Sequence, residues 1–199
     1  MSIAAVPAAP IEIANQFNAN RVVDAIVLAF SADPTVRWIY PESYQFLAEF
    51  PELVWRFSAK SFEEGSAFHT ADFCGAALWF PPGACPDEAA VVEHIEESVA
   101  ASLQGEVLAI FEQMDRFHPP EPHWYLSFIG VDPAYQRRGT GAALLRQVLQ
   151  RCDRDQQPAY LESSNPANIS LYERHGFEVV GTIQAGSSPP LFPMIRQPR

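Results

Sequence analysis

The sequence has no apolar run approaching the roughly 18 residues needed to cross a bilayer, no Cys-x-x-Cys pair, and no internal repeat or low-complexity segment. Each absence removes a class of protein. No transmembrane helix is expected. Met1 to Pro10 is small and apolar, but it lacks a basic start and is interrupted by Pro7 and Pro10, so it reads as a loose tail rather than a signal peptide. A cytoplasmic protein without a membrane partner is the expectation. Cys74, Cys85 and Cys152 are odd in number and widely spaced, which argues against a disulfide framework or zinc site and for buried free thiols. His69, His94, His118, His123 and His175 show no metal-ligand spacing, so no metal is expected. Positive charge is scarce too. With 13 basic against 24 acidic residues, the formal charge of −11 disfavours nucleic acid as a partner.

What remains is a chain of 199 residues, 48% apolar, long enough for one well-buried domain over residues 1–199. Its charge is unevenly spread. Residues 1–130 hold 18 acidic and 5 basic side chains, whereas residues 131–199 hold 6 and 8. The C-terminal third is thus the part suited to a polyanion. The acidic N-terminal part suits a cationic amine, and a solvated acidic surface explains it equally well.

The most informative stretch is Trp124 to Gly141, WYLSFIGVDPAYQRRGTG. Trp124 to Val131 is rich in aromatic and β-branched residues and predicts a strand, stopped by Asp132-Pro133. From Gly141 on, Leu144, Leu145, Val148, Leu149 and Cys152 recur at helical spacing. Gln136 to Gly141 therefore sits at a helix N-terminus, where free N–H groups, the helix dipole and Gly139 and Gly141 favour a phosphate. Arg137 and Arg138 add fixed positive charge, and Gln136 can brace the turn. A dinucleotide fold fits poorly. The third glycine position of G-x-G-x-x-G is Leu144, and seven residues separate the strand from Gly139 where a tight turn is required.

The remaining segments read as alternating strands and helices. Ile11 to Phe17 can be a first strand, and Arg21 to Phe30 a helix capped by Asn18 or Asn20 and ended by Asp33-Pro34. Glu42 to Glu64 is helical, with Pro51 starting a new helix or kinking it. Ser66 to Thr70 and Phe73 to Phe80 form a strand pair. Asp87 to Phe117 is a helical insertion broken near Gly105. Ala159 to Ser163 is a strand, Ala167 to His175 a short helix, and Phe177 to Ile183 pairs with Leu191 to Arg196.

Gln136-Arg137-Arg138-Gly139-Thr140-Gly141 is similar to the (Arg/Gln)-x-x-Gly-x-(Gly/Ala) signature of the GNAT superfamily of N-acetyltransferases. Asn168 with Tyr172, Gly176 and Phe177 resembles its second signature, and the likeness is firmest over residues 118–181. The resemblance implies an α/β (α+β) fold with a mixed, mainly antiparallel sheet flanked by helices, the insertion at about 87–117 being an addition to it. It implies an acetyl-CoA-binding core at about 118–181 and an acceptor side at about 11–117. It further implies that the loop Gln136 to Gly141 and Asn168 bind acetyl-CoA. Ile129, Gly130 and Val131 would line its pantetheine arm, with Gly130 at a β-bulge that splays the strand. Tyr172 would give a proton to the departing thiolate; otherwise it is a core tyrosine. Glu162, at a strand end beside the expected acetyl group, can take the amine proton directly or through water, or else serve as a cap or bond Ser164. His123 and His175 are reserves for that role. The implied acceptor is a small primary amine, aminoacyl-nucleoside-like or otherwise, and a homodimer is an open option. A catalytically idle acyl-CoA sensor and a peptide or protein N-acetyltransferase are the alternatives.

Overall fold

The computed structural model describes residues 9–199, so the tail expected over Met1 to Pro10 lies, up to residue 8, outside the described residues. The first half contributes β1 (Ile11–Ile13), α1 (Ala19–Ala29), α2 (Pro34–Ile39), α3 (Ser43–Glu63), β2 (Ala67–Thr70) and β3 (Gly75–Phe80). Two helices follow, α4 (Glu88–Ser98) and α5 (Ala101–Phe117), and then β4 (Trp124–Val131) and α6 (Thr140–Asp155). The chain closes with β5 (Ala159–Ser163), α7 (Ile169–Arg174), β6 (Glu178–Val179) and β7 (Phe192–Arg196). The strands form one sheet in the order β1-β2-β3-β4-β5-β7-β6, and every pairing is antiparallel except β4 with β5. The expected mixed, mainly antiparallel α/β architecture is what forms.

Strand alternation sorts the core onto the two faces of this sheet. On β3, Ala76, Leu78 and Phe80 face one side, where α1 to α5 supply Val22, Ile26, Phe50, Val54, Phe57, Ile95 and Val107. Ala77 and Trp79 face the other, against Leu144, Leu145 and Val148 of α6 and Tyr172 of α7. α6 and α7 therefore pack across the sheet from the acidic N-terminal helices.

Pro51 neither ends nor restarts α3, which runs unbroken from Ser43 to Glu63. A proline inside a helix costs about 3 kcal/mol. Phe46 and Phe50 before it and Leu53, Val54 and Phe57 after it are buried on one face, each contributing about 1.5–3 kcal/mol. Packing wins. Asp33-Pro34 likewise starts a helix rather than only ending one. Pro34 takes the first position of α2, and Asp33 caps it by accepting from the amides of Thr35 and Val36 at 3.0 and 3.1 Å.

The insertion breaks at Val99 and Ala100, not near Gly105, which lies inside α5 with open space around it. Side chains decide the position. Gln104 Nε2 donates to the carbonyls of Glu96 and Val99, and Ser98 Oγ donates to His94 O while pairing with Tyr40 Oη at 2.9 Å. The expected strand over Phe177 to Ile183 shrinks to β6 and one bridge between Ile183 and Leu191, with Gly181 packed under the Phe117 ring. Of the three thiols only Cys152 is buried, and burial raises its pKa to about 12; Cys85 is exposed and Cys74 intermediate. No helix among the described residues is long and apolar enough to cross a membrane.

Gly130 is not at a bulge. The register between β3 and β4 slips where Leu78 pairs with Phe128 and Trp79 with Leu126, which makes Ser127 the extra residue. Ser127 Oγ donates to Leu78 O across the slip, at 3.0 Å. Gly130 instead allows α1 to approach the sheet: a Cβ there would lie 2.4 Å from the Ala29 Cβ. Gly130→Ala must push α1 away, at a cost of about 1–3 kcal/mol. The expected outcome is a melting temperature several degrees lower. An unchanged melting curve would show that α1 shifts freely.

Candidate active site

The parallel ladder between β4 and β5 ends at the pair Leu126 and Leu161. Beyond it the strands part, and the β5-facing edge of Ser127 to Val131 has no strand partner among the described residues. A cavity of about 900 Å³ opens in this gap and continues to the N-terminus of α6. Ile129, Gly130, Val131, Gln136, Arg137, Gly139, Thr140, Gly141, Glu162, Asn168 and Tyr172 all line it. Residues separated by up to 43 positions in the sequence thus share one surface.

The loop before α6 leaves backbone amides free at a glycine-capped helix start. Gly139 caps the helix at φ +86°, a conformation that other residues enter only with strain. Arg137 also has positive φ, at 62°. The first backbone bond runs from Ala143 N to Gly139 O at 3.0 Å, so the amides of Thr140, Gly141 and Ala142 point past the helix end with no acceptor among the described residues. Gln136 Nε2 donates to Val131 O at 3.1 Å and ties the loop to β4. Arg138 departs from expectation: it donates to Ala134 O at 3.2 Å, lies over the Tyr135 ring and does not line the cavity. Arg174, which no sequence pattern singled out, does line it.

Tyr172 is 6% exposed and packs edge-on against Phe177. Its hydroxyl has no hydrogen bond among the described residues. Burial, with the charge of Asp33 added, raises its pKa well above that of a free phenol, so it stays protonated and able to give a proton. Asn168 sits at the N-cap of α7, one helical turn before Tyr172.

Asp33 is the group that sequence reasoning missed. It is 7% exposed, lines the cavity, and its Oδ2 accepts from Ser164 Oγ at 2.6 Å. Burial raises its pKa, opposed by the bonds from Ser164 and the α2 amides. The only available signal was the Asp-Pro cap. Its contact with Ser164 joins residues 131 apart in sequence, and this bond also takes away the Ser164 to Glu162 option.

Glu162 follows the last residue of β5 that pairs with β4, pairs with Pro193 of β7, and turns to the same sheet face as Tyr160, its side chain 3% exposed. His118 Nε2 lies 3.5 Å from its Oε1. The Tyr125 and Tyr160 phenols have raised pKa values, first by burial and then by the Glu162 charge. His175 donates from Nδ1 to Leu171 O at 2.8 Å when protonated there, a packing role within α7. The part of the cavity against the N-terminal helices is apolar, with Phe30, Trp38, Phe50, Phe57, Phe111 and Phe128. Its charged and titratable lining comprises Asp33, Tyr125 and Glu162, with Arg137, Tyr172, Arg174 and His175 on or next to the α6 loop and α7.

Residues 47–177 match the family model described as the Acetyltransferase (GNAT) family, well over half of the chain. An uncharacterized N-acetyltransferase of Schizosaccharomyces pombe is 29% identical over 149 residues, 67% of this chain and 60% of the relative, so the chain matches less than two thirds of that protein. The N-alpha-acetyltransferase RimI of Mycobacterium tuberculosis is 33% identical over 110 residues, 55% of this chain and 67% of RimI. Among solved structures, a histone acetyltransferase HPA2 and related acetyltransferase from Corynebacterium glutamicum superimposes with a TM-score of 0.68 at 27% identity, covering 97% of this chain and 98% of the other.

Proposed function

The chain belongs to the GNAT acetyltransferase family, and on that premise we propose that it moves an acetyl group from acetyl-CoA to the primary amine of a small molecule with a bulky apolar body. The carrying observation is the polarity of one cavity: basic residues and free amides at the α6 end, six aromatic rings at the other, and two carboxylates between them. The α6 loop and Asn168 would hold the coenzyme A phosphates, while the unpaired edge of Ile129 to Val131 receives the pantetheine arm and polarises the thioester carbonyl. Attack is direct, in a ternary complex. Glu162 takes the proton of the amine, and Tyr172 protonates the departing sulfur. The whole chain acts as one catalytic domain, with the acceptor side at about 11–117 and the acetyl-CoA core at about 118–181.

His118 to Val131 and Tyr160 to Phe177 resemble segments of puromycin N-acetyltransferase, which supports an aminoacyl-nucleoside-like acceptor. A second reading, the α-amine of a peptide, draws support from the likeness to RimI. A screen of acetyl-CoA consumption over puromycin, arylalkylamines, free amino acids and N-terminal peptides separates the two. Turnover confined to the hydrophilic free amino acids would overturn the apolar-acceptor reading, and none with any amine would leave an acyl-CoA sensor.

Tyr172→Phe keeps the ring and removes the hydroxyl. Donation from a phenol above pKa 10 to a thiolate near 8.5 is uphill, so the expected fall in kcat is about 10- to 100-fold with acetyl-CoA binding retained. Equal turnover in steady-state assays would make Tyr172 a packing residue.

A further inference from the structure

The buried carboxylate of Glu162 faces a histidine whose protonation is dictated by a chain of acceptors. His123 Nδ1 lies 2.8 Å from the Glu121 carbonyl, which can only accept, so Nδ1 carries the proton. A neutral His123 then has a lone pair on Nε2, and His118 Nδ1 lies 3.2 Å from it. His118 must donate there. Its own Nε2 is left with a lone pair directed at Glu162 Oε1, 3.5 Å away. Oε1 is buried and makes no hydrogen bond. His118 Nε2 and Glu162 Oε1 thus face each other as two acceptors, a gap that an added proton bridges. The buried Tyr160 hydroxyl, also without a partner among the described residues, stands ready as a donor to the carboxylate. The other groups around them are the phenols of Tyr125 on β4 and Tyr160 on β5, whose rings lie 4.5 Å from that of His118.

The same residues link two cavities. Glu162 borders the central cavity, and His118 and His123 border a second one of about 450 Å³, walled by Pro82 to Pro86 and Pro119 to Pro122. Tyr125 borders both.

Resting on the acetyl-transfer reading above, we infer that the Glu162–His118 pair is the seat for the proton that leaves the amine, and that His123 passes it to the second cavity. An ammonium acceptor loses one N–H proton to this seat, and the freed electron pair forms the C–N bond as the C–S bond breaks. The second N–H proton and the proton gained by sulfur cancel, so one proton per turnover must leave. Along the relay the proton enters His118 at Nε2, the Nδ1 proton moves to His123 Nε2, and the surplus passes to water in the second cavity. Burial, aided by nearby His118, lowers the His123 pKa, so His123 hands the proton on. Both histidines are positioning residues, acting through Glu162.

The test needs no substrate at first. In the full chain with ¹⁵N-labelled imidazoles near neutral pH, ring shifts should show Nδ1 protonated in both His118 and His123. In His123→Phe, His118 loses its acceptor and should move its proton to Nε2, donating to Glu162. A wild-type His118 protonated on Nε2 alone overturns the relay, whether or not the enzyme is active. Where the amine screen supplies an acceptor, His123→Phe should lower kcat about tenfold, less than loss of a general base, with the acid limb of the profile moved to lower pH and the acetyl-CoA KM unchanged. A variant profile parallel to wild type also overturns it. Failure to acetylate any amine, with the ring shifts as expected, sinks acetyl transfer and leaves the tautomer chain standing.

Discussion

Glu162→Gln is expected to lower kcat/KM at neutral pH by about 10²- to 10⁴-fold, the range for removing a general base. The size follows from the acceptor. A lysine-like amine of pKa near 10.4 is neutral about once in 2,500 at pH 7, and an α-amine near 7.7 about one time in six. A buried carboxylate lining an apolar cavity is the group placed to remove that proton. The deficit should shrink as pH rises toward the acceptor's own pKa, because solvent then supplies the neutral amine. The glutamine keeps the volume beside His118, so the fold should hold. The measurement is kcat/KM against pH for both proteins, with melting curves alongside. A parallel offset at every pH, together with a lower melting temperature, would make Glu162 a structural residue and leave amine desolvation or a bound water chain to do its work.

Replacing both Gly139 and Gly141 with valine should abolish coenzyme A binding while the sheet and its two cores persist. At Gly139 the φ of +86° strains a β-branched residue, and its side chain would stand in the space the anion needs, since nothing of the protein lies within 4 Å of that direction. At Gly141 the Cβ of the new side chain meets Leu171 and Val131 at ordinary contact distance, 3.5 and 3.9 Å. The fold is expected to tolerate it. Losing two charge-assisted bonds from backbone amides, each worth about 1.5–3 kcal/mol, corresponds to a loss of about 10²- to 10⁴-fold in affinity. Calorimetric titration with coenzyme A measures it, and circular dichroism confirms the fold. Unchanged affinity in a folded variant would end the assignment of this loop to the phosphates. Arg137→Ala should matter less, and Arg138→Ala least, because Arg138 braces the loop through Ala134 O outside the cavity.

The α6 loop was legible because its parts are contiguous. A β-rich strand, a proline stop and two glycines before an amphipathic helix define a local geometry that neighbours need only accommodate, and α6 starts within a residue of the expected position. β5 forms at its expected limits, because a short apolar strand carries its own pattern. Where elements break was less legible. Pro51 stays inside α3 because aromatic packing on both sides outweighs its local cost, and the insertion breaks at Val99 because the Gln104 side chain closes the end of α4. Such outcomes depend on partners that periodicity does not see.

For this protein, then, the chain's own order determined the sheet-and-helix class, the glycine-capped helix start, and the family signatures at Gln136 to Gly141 and Asn168 to Tyr172, since each rests on residues within a few positions of one another. Tertiary structure alone decided which groups face the central cavity. Asp33 meets Ser164 and Glu162 meets His118 only because β4 and β5 part beyond Leu126 and Leu161 while α2 folds over the gap. The bulge at Ser127 is decided the same way, by pairing with β3 rather than by a glycine. The physical reason is range: backbone conformation and helix dipoles act within a turn or two, whereas burial, desolvation and the direction of a proton are properties of surfaces that the fold brings together.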